Sequence, residues 1–539
     1  MTGFTGTGAL ARLAFRRDRV ALPASVYVIV ALVASTAYTF KKLYPTAASR
    51  ASLASVGEAN PAFRFLYGRL NGSSLGALTA WRYGIWAAIF AALMAIFVVI
   101  RHTRTDEEEG RLELVGSAAV GRQAALTAAL ALAATASVLI AVLLCAVLPL
   151  AGLTPAGSVA LALSIGACAL AFTGISAVAA QLVSGARAAR GIALAVLGVS
   201  FVLRGVGDAA SSGALSWLSW LSPLGWVELA RPFGGERWWV LVVPLAVFCC
   251  GTGLAFLLAA RRDHGAGLIP DRPGRPGASD LLRGPFGLAW RLQRGALAGW
   301  GTGYVFTFAA SGAAAKGIGQ LFGTSSALQR EFTRLGGQNA LVDAYLASLM
   351  LLAGLVAAAY AISTLLRLRS EETAGRAEPV LATAVGRVRW GLSHVVVAVV
   401  GAAVLLAVAG LAAGLGYGLR LGGAGPAGTQ AWRMLGAGLA QLPAALALAA
   451  VAVLLFGLRP AWSVAGSWIA TAIVVVLVLF GQVLELSHWV MHISPFTHAP
   501  RLPAAPGYTV SATPLIWLCA AALALTAAGL TALRRRDIG

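Results

Sequence analysis

Uninterrupted apolar runs recur along the whole chain, and they restrict its possible folds more than any other feature of the sequence. The run Ala124–Leu150, for example, contains no charged residue. About 20 such residues let a helix cross the hydrocarbon core of a bilayer, where the helix satisfies its own backbone hydrogen bonds. Only 11% of the residues are charged, against about 25% in soluble domains, which is too few to cover this chain in water. The sequence therefore predicts an all-α, polytopic membrane protein.

Twelve runs are long enough to form membrane spans, six in each half of the chain. In the first half the predicted spans are 20–40, 83–101, 124–150, 156–183, 188–207 and 238–260. In the second half they are 299–316, 342–365, 393–417, 435–457, 463–483 and 513–533.

The distribution of basic residues predicts the orientation of these spans. If the N-terminus is cytoplasmic and every span crosses, the inner segments contain 26 Lys and Arg residues and the outer segments contain 14. Basic residues concentrate in cytoplasmic loops, so we predict a multi-pass protein of the plasma membrane with both termini cytoplasmic. This bias accounts for the net charge of +21, and no nucleic-acid partner is expected.

One short charged segment occurs twice. Arg104–Arg122 reads RTDEEEGRLELVGSAAVGR, and Arg369–Arg387 reads RSEETAGRAEPVLATAVGR, at a constant offset of 265 residues. Ten of the nineteen positions are identical, and they include five charged positions. Because charged residues are rare in this chain, identity at those positions indicates an internal duplication.

The duplication predicts the domain organisation. Residues 13–16 (LAFR) are similar in sequence to residues 288–291 (LAWR), and each segment lies just before the first span of a half. We predict a first six-helix half at 1–261, a cytoplasmic linker rich in Gly, Pro and Arg at 262–287, and a second six-helix half at 288–539. Parallel repeats with an even number of spans are related by an axis along the membrane normal.

The repeated segment is the strongest candidate for a functional site. Glu107 and Arg111 are four residues apart, as are Glu372 and Arg376, so on a helix each pair would lie on one side. The glycine inside each pair weakens a helix, which would suit close approach by another backbone. A solvated turn is the competing interpretation. Retention of ten side chains in both copies favours a docking surface for a cytoplasmic partner.

The pattern [DE]-E-x-x-G-R-x-E, placed twice between a second and a third span, resembles the permease subunit of ABC-2-type exporters. In particular it is similar to the actinobacterial exporters of polyketide antibiotics, of the tetronasin-resistance type. Residues 74–84 (SLGALTAWRYG), 220–239 (WLSPLGWVELARPFGGERWW) and 493–503 (ISPFTHAPRLP) share the resemblance. It implies a permease that moves hydrophobic small molecules, such as polyketide-like antibiotics, out of the cell. Two ATPase subunits per permease chain would carry the ATP and the Mg.

The resemblance also implies which residues contact the ATPase subunits. They are Asp106, Glu107, Gly110, Arg111 and Glu113 in the first copy, and Glu371, Glu372, Gly375, Arg376 and Glu378 in the second. The second copy has Thr373-Ala374 where the first has Glu108-Glu109, so the two docking surfaces differ in charge. Whether two identical ATPases bind stays open.

The rest of the sequence limits the chemistry that the chain itself can perform. It contains no G-x-x-x-x-G-K-[ST] loop to hold phosphates and only three lysines. We therefore expect a transport subunit that is not an enzyme and binds no cofactor directly. The five cysteines lie in apolar runs without metal-ligand spacing, and no metal site is predicted.

Two alternative functions are weighed against export driven by ATP. An ion-coupled secondary transporter needs titratable residues near the middle of the membrane, and the predicted spans contain almost none. A membrane enzyme needs carboxylates that converge, and nothing in the sequence brings any together.

Four polar residues within or at the ends of predicted spans have more than one interpretation. Gln181 and Gln441 either line a substrate path or bond neighbouring helices. Arg204 and Asp208 are four residues apart at the end of the fifth span, which favours an ion pair whose arginine extends to the membrane surface.

Overall fold

The structure, a computed structural model, describes residues 3–116, 119–210, 213–263, 265–270, 277, 279–282, 284–322, 337–422, 424–480, 487–503 and 511–537. Within these ranges the regular structure is helical and includes no strand. Eleven helices of the described residues are long and apolar enough to cross a membrane. The prediction of an all-α, polytopic membrane protein is therefore confirmed. The chain forms two units, unit 1 at Met1–Gly274 and unit 2 at Arg275–Gly539, and the division falls within the predicted linker.

Unit 1 contains seven main helices in its described residues. They are α1 (Thr7–Arg17), α2 (Ala21–Leu43), α3 (Leu75–Ile100), α4 (Ala124–Leu150), α5 (Pro155–Leu182), α6 (Ala186–Ala209) and α7 (Val242–Arg261). Short helical segments lie between them at Ala47–Ala59, Pro61–Tyr67, Arg101–Thr105, Asp106–Glu108, Arg111–Gly116, Ser216–Leu221, Gly225–Leu229 and Trp238–Leu241. Helices α2 to α7 coincide with the six spans predicted for this half.

Helix α5 lies at the centre of unit 1 and packs against α3, α4 and α7. Small residues allow this close packing, as is typical of helices in membranes. A methyl group added at Gly166 would lie 2.9 Å from the Cβ of Ala141 in α4. One added at Gly174 would lie 3.1 Å from the backbone of Phe248 in α7.

Unit 2 also contains seven main helices in its described residues. They are α8 (Pro285–Phe322), α9 (Gly337–Leu365), α10 (Arg387–Leu421), α11 (Ala424–Leu439), α12 (Leu442–Leu458), α13 (Pro460–Phe480) and α14 (Thr513–Arg535). Short helical segments occur at Asp280–Leu282, Arg367–Thr373, Ala377–Leu381, His488–Met491 and Pro495–Thr497. Helix α10 packs against α8, α9 and α11.

The seventh predicted span, 299–316, lies inside α8. This helix has 38 residues but is not among the eleven helices that are apolar enough to span. The reason is its composition, since glycine, serine and threonine interrupt its apolar residues and Lys316 follows them. Length alone would allow α8 to cross, because 38 residues at 1.5 Å each extend for about 57 Å.

Candidate functional site

A glycine ends a helix at the same position in both copies of the repeated segment. In unit 1 the short helices Arg101–Thr105 and Asp106–Glu108 continue α3, and the chain then turns at Gly110, whose φ is +69°. In unit 2 Gly375 has a φ of +67°. The Gly110 N–H donates to the Glu107 carbonyl at 3.1 Å, and the Gly375 N–H donates to the Glu372 carbonyl at 3.0 Å. Left-handed glycines are a common helix ending because they lack a Cβ that would clash.

This turn corrects one prediction made from the sequence and bears on a second. Glu107 was expected to face Arg111 on one helix, and Glu372 to face Arg376. This expectation is wrong, because the helix ends between the two residues in each copy. Arg111 instead pairs with Asp106 at 3.0 Å, and Arg376 pairs with Glu371 at 3.0 Å. The expectation that the glycine permits close approach of another backbone stays a prediction about a partner, because no backbone within the described part of this chain makes that approach. Among the described residues nothing lies within 4 Å of a Cβ built at either glycine.

The second acid of the repeated segment binds the residue that follows the last helix of unit 1. Arg262 donates two parallel hydrogen bonds to the Glu107 carboxylate, from Nη1 to Oε1 at 2.7 Å and from Nη2 to Oε2 at 2.9 Å. Arg104 Nη1 donates to the same carboxylate at 3.0 Å. Arg122 Nη2 donates to the Arg262 carbonyl at 2.5 Å. We call Arg104, Glu107, Arg122 and Arg262 the unit-1 clasp.

Unit 2 contains the same arrangement at the end of α14. Arg536 Nη2 lies 2.9 Å from Glu372 Oε1, and Arg369 Nη1 lies 3.6 Å from Oε2. Arg387 Nη1 donates to the Arg536 carbonyl at 2.6 Å. These four residues form the unit-2 clasp. In each unit, therefore, the repeated segment ties the loop after the second span to the end of the sixth.

The two arginines that complete the clasps, Arg262 and Arg536, were missed by sequence reasoning. A signal for them was present, because the pattern Arg-Arg-Asp-x-Gly occurs at 261–265 and again at 535–539. The pattern is too short to detect without knowing that it adjoins the repeated segment in space.

Burial divides the predicted docking residues into an inner and an outer set. The carboxylates of the inner set are largely buried, with side-chain exposures of 11% for Asp106, 9% for Glu107, 10% for Glu371 and 8% for Glu372. The outer set points to solvent: the side chains of Arg111 and Arg376 are about half exposed, and those of Glu113 and Glu378 are exposed. Of the predicted docking residues, the outer set is therefore the one that presents its charged groups to solvent.

The difference in charge between the two copies lies on this outer surface. Glu108 and Glu109 are exposed in unit 1, as are Thr373 and Ala374 at the matching positions of unit 2. In contrast, two inner ion pairs match between the units: Arg111–Asp106 matches Arg376–Glu371, and Arg262–Glu107 matches Arg536–Glu372. The two outer surfaces therefore share a scaffold and differ in charge.

The two predicted path residues are both buried and bonded within their own unit. Gln181 Oε1 accepts a hydrogen bond from Arg262 Nε at 2.6 Å, which attaches it to the unit-1 clasp. Gln441 precedes α12, and its Nε2 donates to the Pro500 carbonyl at 3.2 Å.

A second group of charges lies at the C-terminal end of α6. Arg190, near the N-terminal end of this helix, donates a hydrogen bond to Thr105 close to the unit-1 clasp. Arg204 follows 14 residues later, about 21 Å further along the helix. The interpretation of Arg204 as a side chain that extends to the membrane surface is wrong, because Arg204 is fully buried. Its Nη1 lies 3.7 Å from Asp208 and 3.4 Å from Glu228. Arg69 also pairs with Asp208 at 3.1 Å. Burial, reinforced by the Asp208 charge, raises the pKa of Glu228 well above its ordinary value, against the opposing effect of Arg204.

Comparison with known proteins places the chain in a family. A family model described as "Multidrug efflux system permease Rv1217c, C-terminal domain" matches residues 11–258 and 282–534, one range in each unit. The multidrug efflux system permease protein Rv1217c of Mycobacterium tuberculosis (strain ATCC 25618 / H37Rv) is 44% identical over 544 residues, which cover 100% of this chain and 96% of that relative. The chain therefore belongs to the family of multidrug efflux permeases represented by Rv1217c.

Proposed function

We propose that this chain is the membrane-spanning subunit of an ATP-binding-cassette exporter. It would move hydrophobic small molecules, including antibiotic or polyketide-like compounds, out of the cell. Separate ATPase subunits, two per permease chain, would hold the ATP and the Mg and dock on the two repeated segments. The main support is the pair of clasps, because the same ion pairs join the same loop to the last helix in both units. The relative is named a multidrug efflux system permease, which supports transport out of the cell and drug-like substrates for this chain.

The clasps suggest how ATP hydrolysis outside the membrane reaches the helices. A partner that moves the outer set of one unit also moves the inner carboxylates, since Arg111 pairs with Asp106 beside Glu107. Glu107 holds Arg262, which directly follows α7. Charge-assisted bidentate hydrogen bonds are strong and directional, so they transmit displacement well. Each docking surface is thus linked to the sixth span of its own unit.

The difference in exposed charge suggests that the two docking surfaces are not equivalent. The unit-1 surface offers Glu108, Glu109 and Glu113. The unit-2 surface offers Glu378, with neutral residues at the two positions that match Glu108 and Glu109. An ATPase with a basic docking groove would bind the unit-1 surface more tightly. Complementary charge mainly speeds association and selects partners.

Co-purification with a candidate ATPase tests this proposal, provided that the substitutions leave the inner set intact. We expect the double variant Glu113→Lys and Glu378→Lys to weaken ATPase binding by tenfold or more, because each change reverses an exposed charge in the surface. Glu58→Lys is the matched control, since Glu58 is also exposed but lies on the predicted outer side. Equal ATPase binding by the double variant and the control would contradict docking at these surfaces.

Variants of the clasps separate docking from coupling. Arg262→Gln and Arg536→Gln leave the outer sets unchanged, so ATPase binding should persist. Transport of a fluorescent hydrophobic substrate per ATP hydrolysed should fall, because the loop no longer holds the last helix. Unchanged transport per ATP would show that coupling follows another route.

The buried charges near Arg204 keep the ion-coupled alternative open to test. Asp208 and Glu228 are buried carboxylates of the kind that secondary transporters use, although they lie at one end of α6. Vesicles that contain the permease alone discriminate the two functions. Substrate movement driven by a proton gradient, and abolished in Glu228→Gln, would favour ion coupling over the ATP-driven proposal.

A further inference from the structure

Unit 1 has an open groove between α2 and α3 that neither clasp uses. Its volume is about 430 Å³. The walls are almost entirely apolar and include Val28, Phe90 and Phe97, which are partly exposed. Large apolar side chains that face outward in a membrane protein contact lipid, so the groove opens toward the bilayer.

The length of the groove matches one leaflet. At one end lie Asp18 and Arg101, and at the other lie Ile29 and Phe90. Eleven residues separate the ends along each segment of the chain, from Asp18 just before α2 to Ile29 and from Phe90 to Arg101 just after α3. At the helical rise of 1.5 Å per residue this corresponds to about 16 Å. The hydrocarbon core of a bilayer is about 30 Å thick, so the groove extends through about half of it.

The charged end of the groove is electropositive. The Asp18 carboxylate is already engaged by Arg101 at 2.6 Å and by His102 at 2.7 Å. The neighbouring Asp106 is engaged by Arg17 and Arg111. Arg111 also pairs with Glu109, so these three arginines balance three carboxylates. The surplus positive charge at this end comes from Arg16 and Arg19, which flank Asp18 in the sequence and are exposed.

Arg101 is the group that can meet a ligand at this end. Its side chain is 44% exposed, and its Nη1 lies 2.6 Å from Asp18 Oδ1. The guanidinium carries five N–H donors, so donors remain for an anionic oxygen. The nearby helix α1 adds exposed Arg12 and Arg16, together with exposed Phe15, as expected of a helix in the headgroup region.

We propose that the groove binds one anionic phospholipid, with an acyl chain between α2 and α3 and the phosphate on Arg101. Three features favour this ligand: the apolar walls fit the chain, the length fits one leaflet, and the surplus positive charge fits the headgroup. The site lies in the leaflet on the side of the N-terminus, which is the cytoplasmic leaflet in the predicted orientation. It does not depend on the proposed ATPase docking.

Native mass spectrometry of the full chain in detergent tests the proposal, with phosphatidylglycerol and phosphatidylcholine as probes. We expect the wild type to retain phosphatidylglycerol in preference to phosphatidylcholine. Arg101→Gln should lower phosphatidylglycerol affinity about fivefold, as expected for one basic residue at a membrane surface, and Arg101→Lys should retain most of it. Arg187→Gln is the matched control, because Arg187 is exposed on the same side but lies outside the groove.

A second variant tests the groove itself. Ala24 lines the groove from an exposed position, so Ala24→Trp fills the space without displacing buried side chains. We expect it to abolish the preferential retention of phosphatidylglycerol. The proposal is overturned if Ala24→Trp has no effect, or if the wild type retains the two lipids equally.

Discussion

Loss of the bidentate ion pair in the unit-1 clasp is the most direct test of the site. The perturbation is Arg262→Gln, which removes both hydrogen bonds to Glu107 and the bond to Gln181. The side chains of Arg262 and Glu107 are only 13% and 9% exposed, so solvent screens the pair weakly. The matched control is Arg261→Gln, one residue earlier, because Arg261 is exposed.

The size of the effect follows from what Glu107 keeps. Removal of one partner from a fully buried ion pair costs about 3–5 kcal/mol, because it leaves an uncompensated charge. Here Glu107 retains Arg104 at 3.0 Å and the Gly265 N–H at 2.7 Å. We therefore expect Arg262→Gln to lower the free energy of unfolding by about 2 kcal/mol. Arg261→Gln should change it by less than about 0.5 kcal/mol.

The assay is reversible unfolding in mixed micelles, followed by tryptophan fluorescence. A double-mutant cycle with Glu107→Gln isolates the pair, and we expect a coupling energy of at least about 1 kcal/mol. The reasoning is refuted if Arg262→Gln and Arg261→Gln are equally stable, or if the coupling energy is close to zero. The same comparison of Arg536→Gln with the exposed Arg535→Gln tests the unit-2 clasp.

Three further predictions concern the turn, the buried charges and the number of spans. Gly110→Ala and Gly375→Ala should each lower the free energy of unfolding by about 1 kcal/mol, because both glycines have a positive φ. The control Gly386→Ala should leave it unchanged in the same assay, because Gly386 has a φ of −70° and a ψ of 152°, which alanine adopts without strain. The raised pKa of Glu228 means that the folded state holds this proton more tightly than the unfolded chain. The free energy of unfolding should therefore decrease as pH rises above 4.5, the ordinary pKa of a glutamate. Unfolding curves measured across pH should show that Glu228→Gln removes this decrease. An equal decrease in Glu228→Gln and the wild type would contradict the assignment to Glu228. Reporter fusions at the two termini should both be cytoplasmic if α8 crosses the membrane, while termini on opposite sides would limit the chain to the eleven apolar spans.

The architecture was predictable because the bilayer imposes a simple requirement. Every backbone polar group within the hydrocarbon must be paired inside the segment, so long apolar runs become helices. Ala124–Leu150 was predicted with the bounds that the structure shows. The prediction was weakest for 299–316 in α8, where small and polar residues lower the apolar character without preventing a helix.

The duplication could also be detected from the sequence, because identical charged positions are significant in a chain with so few charged residues. It located the repeated segment and the glycine that interrupts it. It could not show why the glycine is there. The helical pairing of Glu107 with Arg111 follows from spacing only if the helix continues, and a φ of +69° at Gly110 ends it.

By itself, then, the sequence determined that the chain forms membrane helices, that its halves are related, and which segment carries the repeated charges. Only the tertiary structure decided which charges meet. Arg262 is 155 residues from Glu107, and Arg536 is 164 residues from Glu372. Pairings over such distances depend on how the helices pack, which the spacing of residues along one helix does not encode. The same packing decides that the inner carboxylates are buried and that the outer set is exposed to solvent.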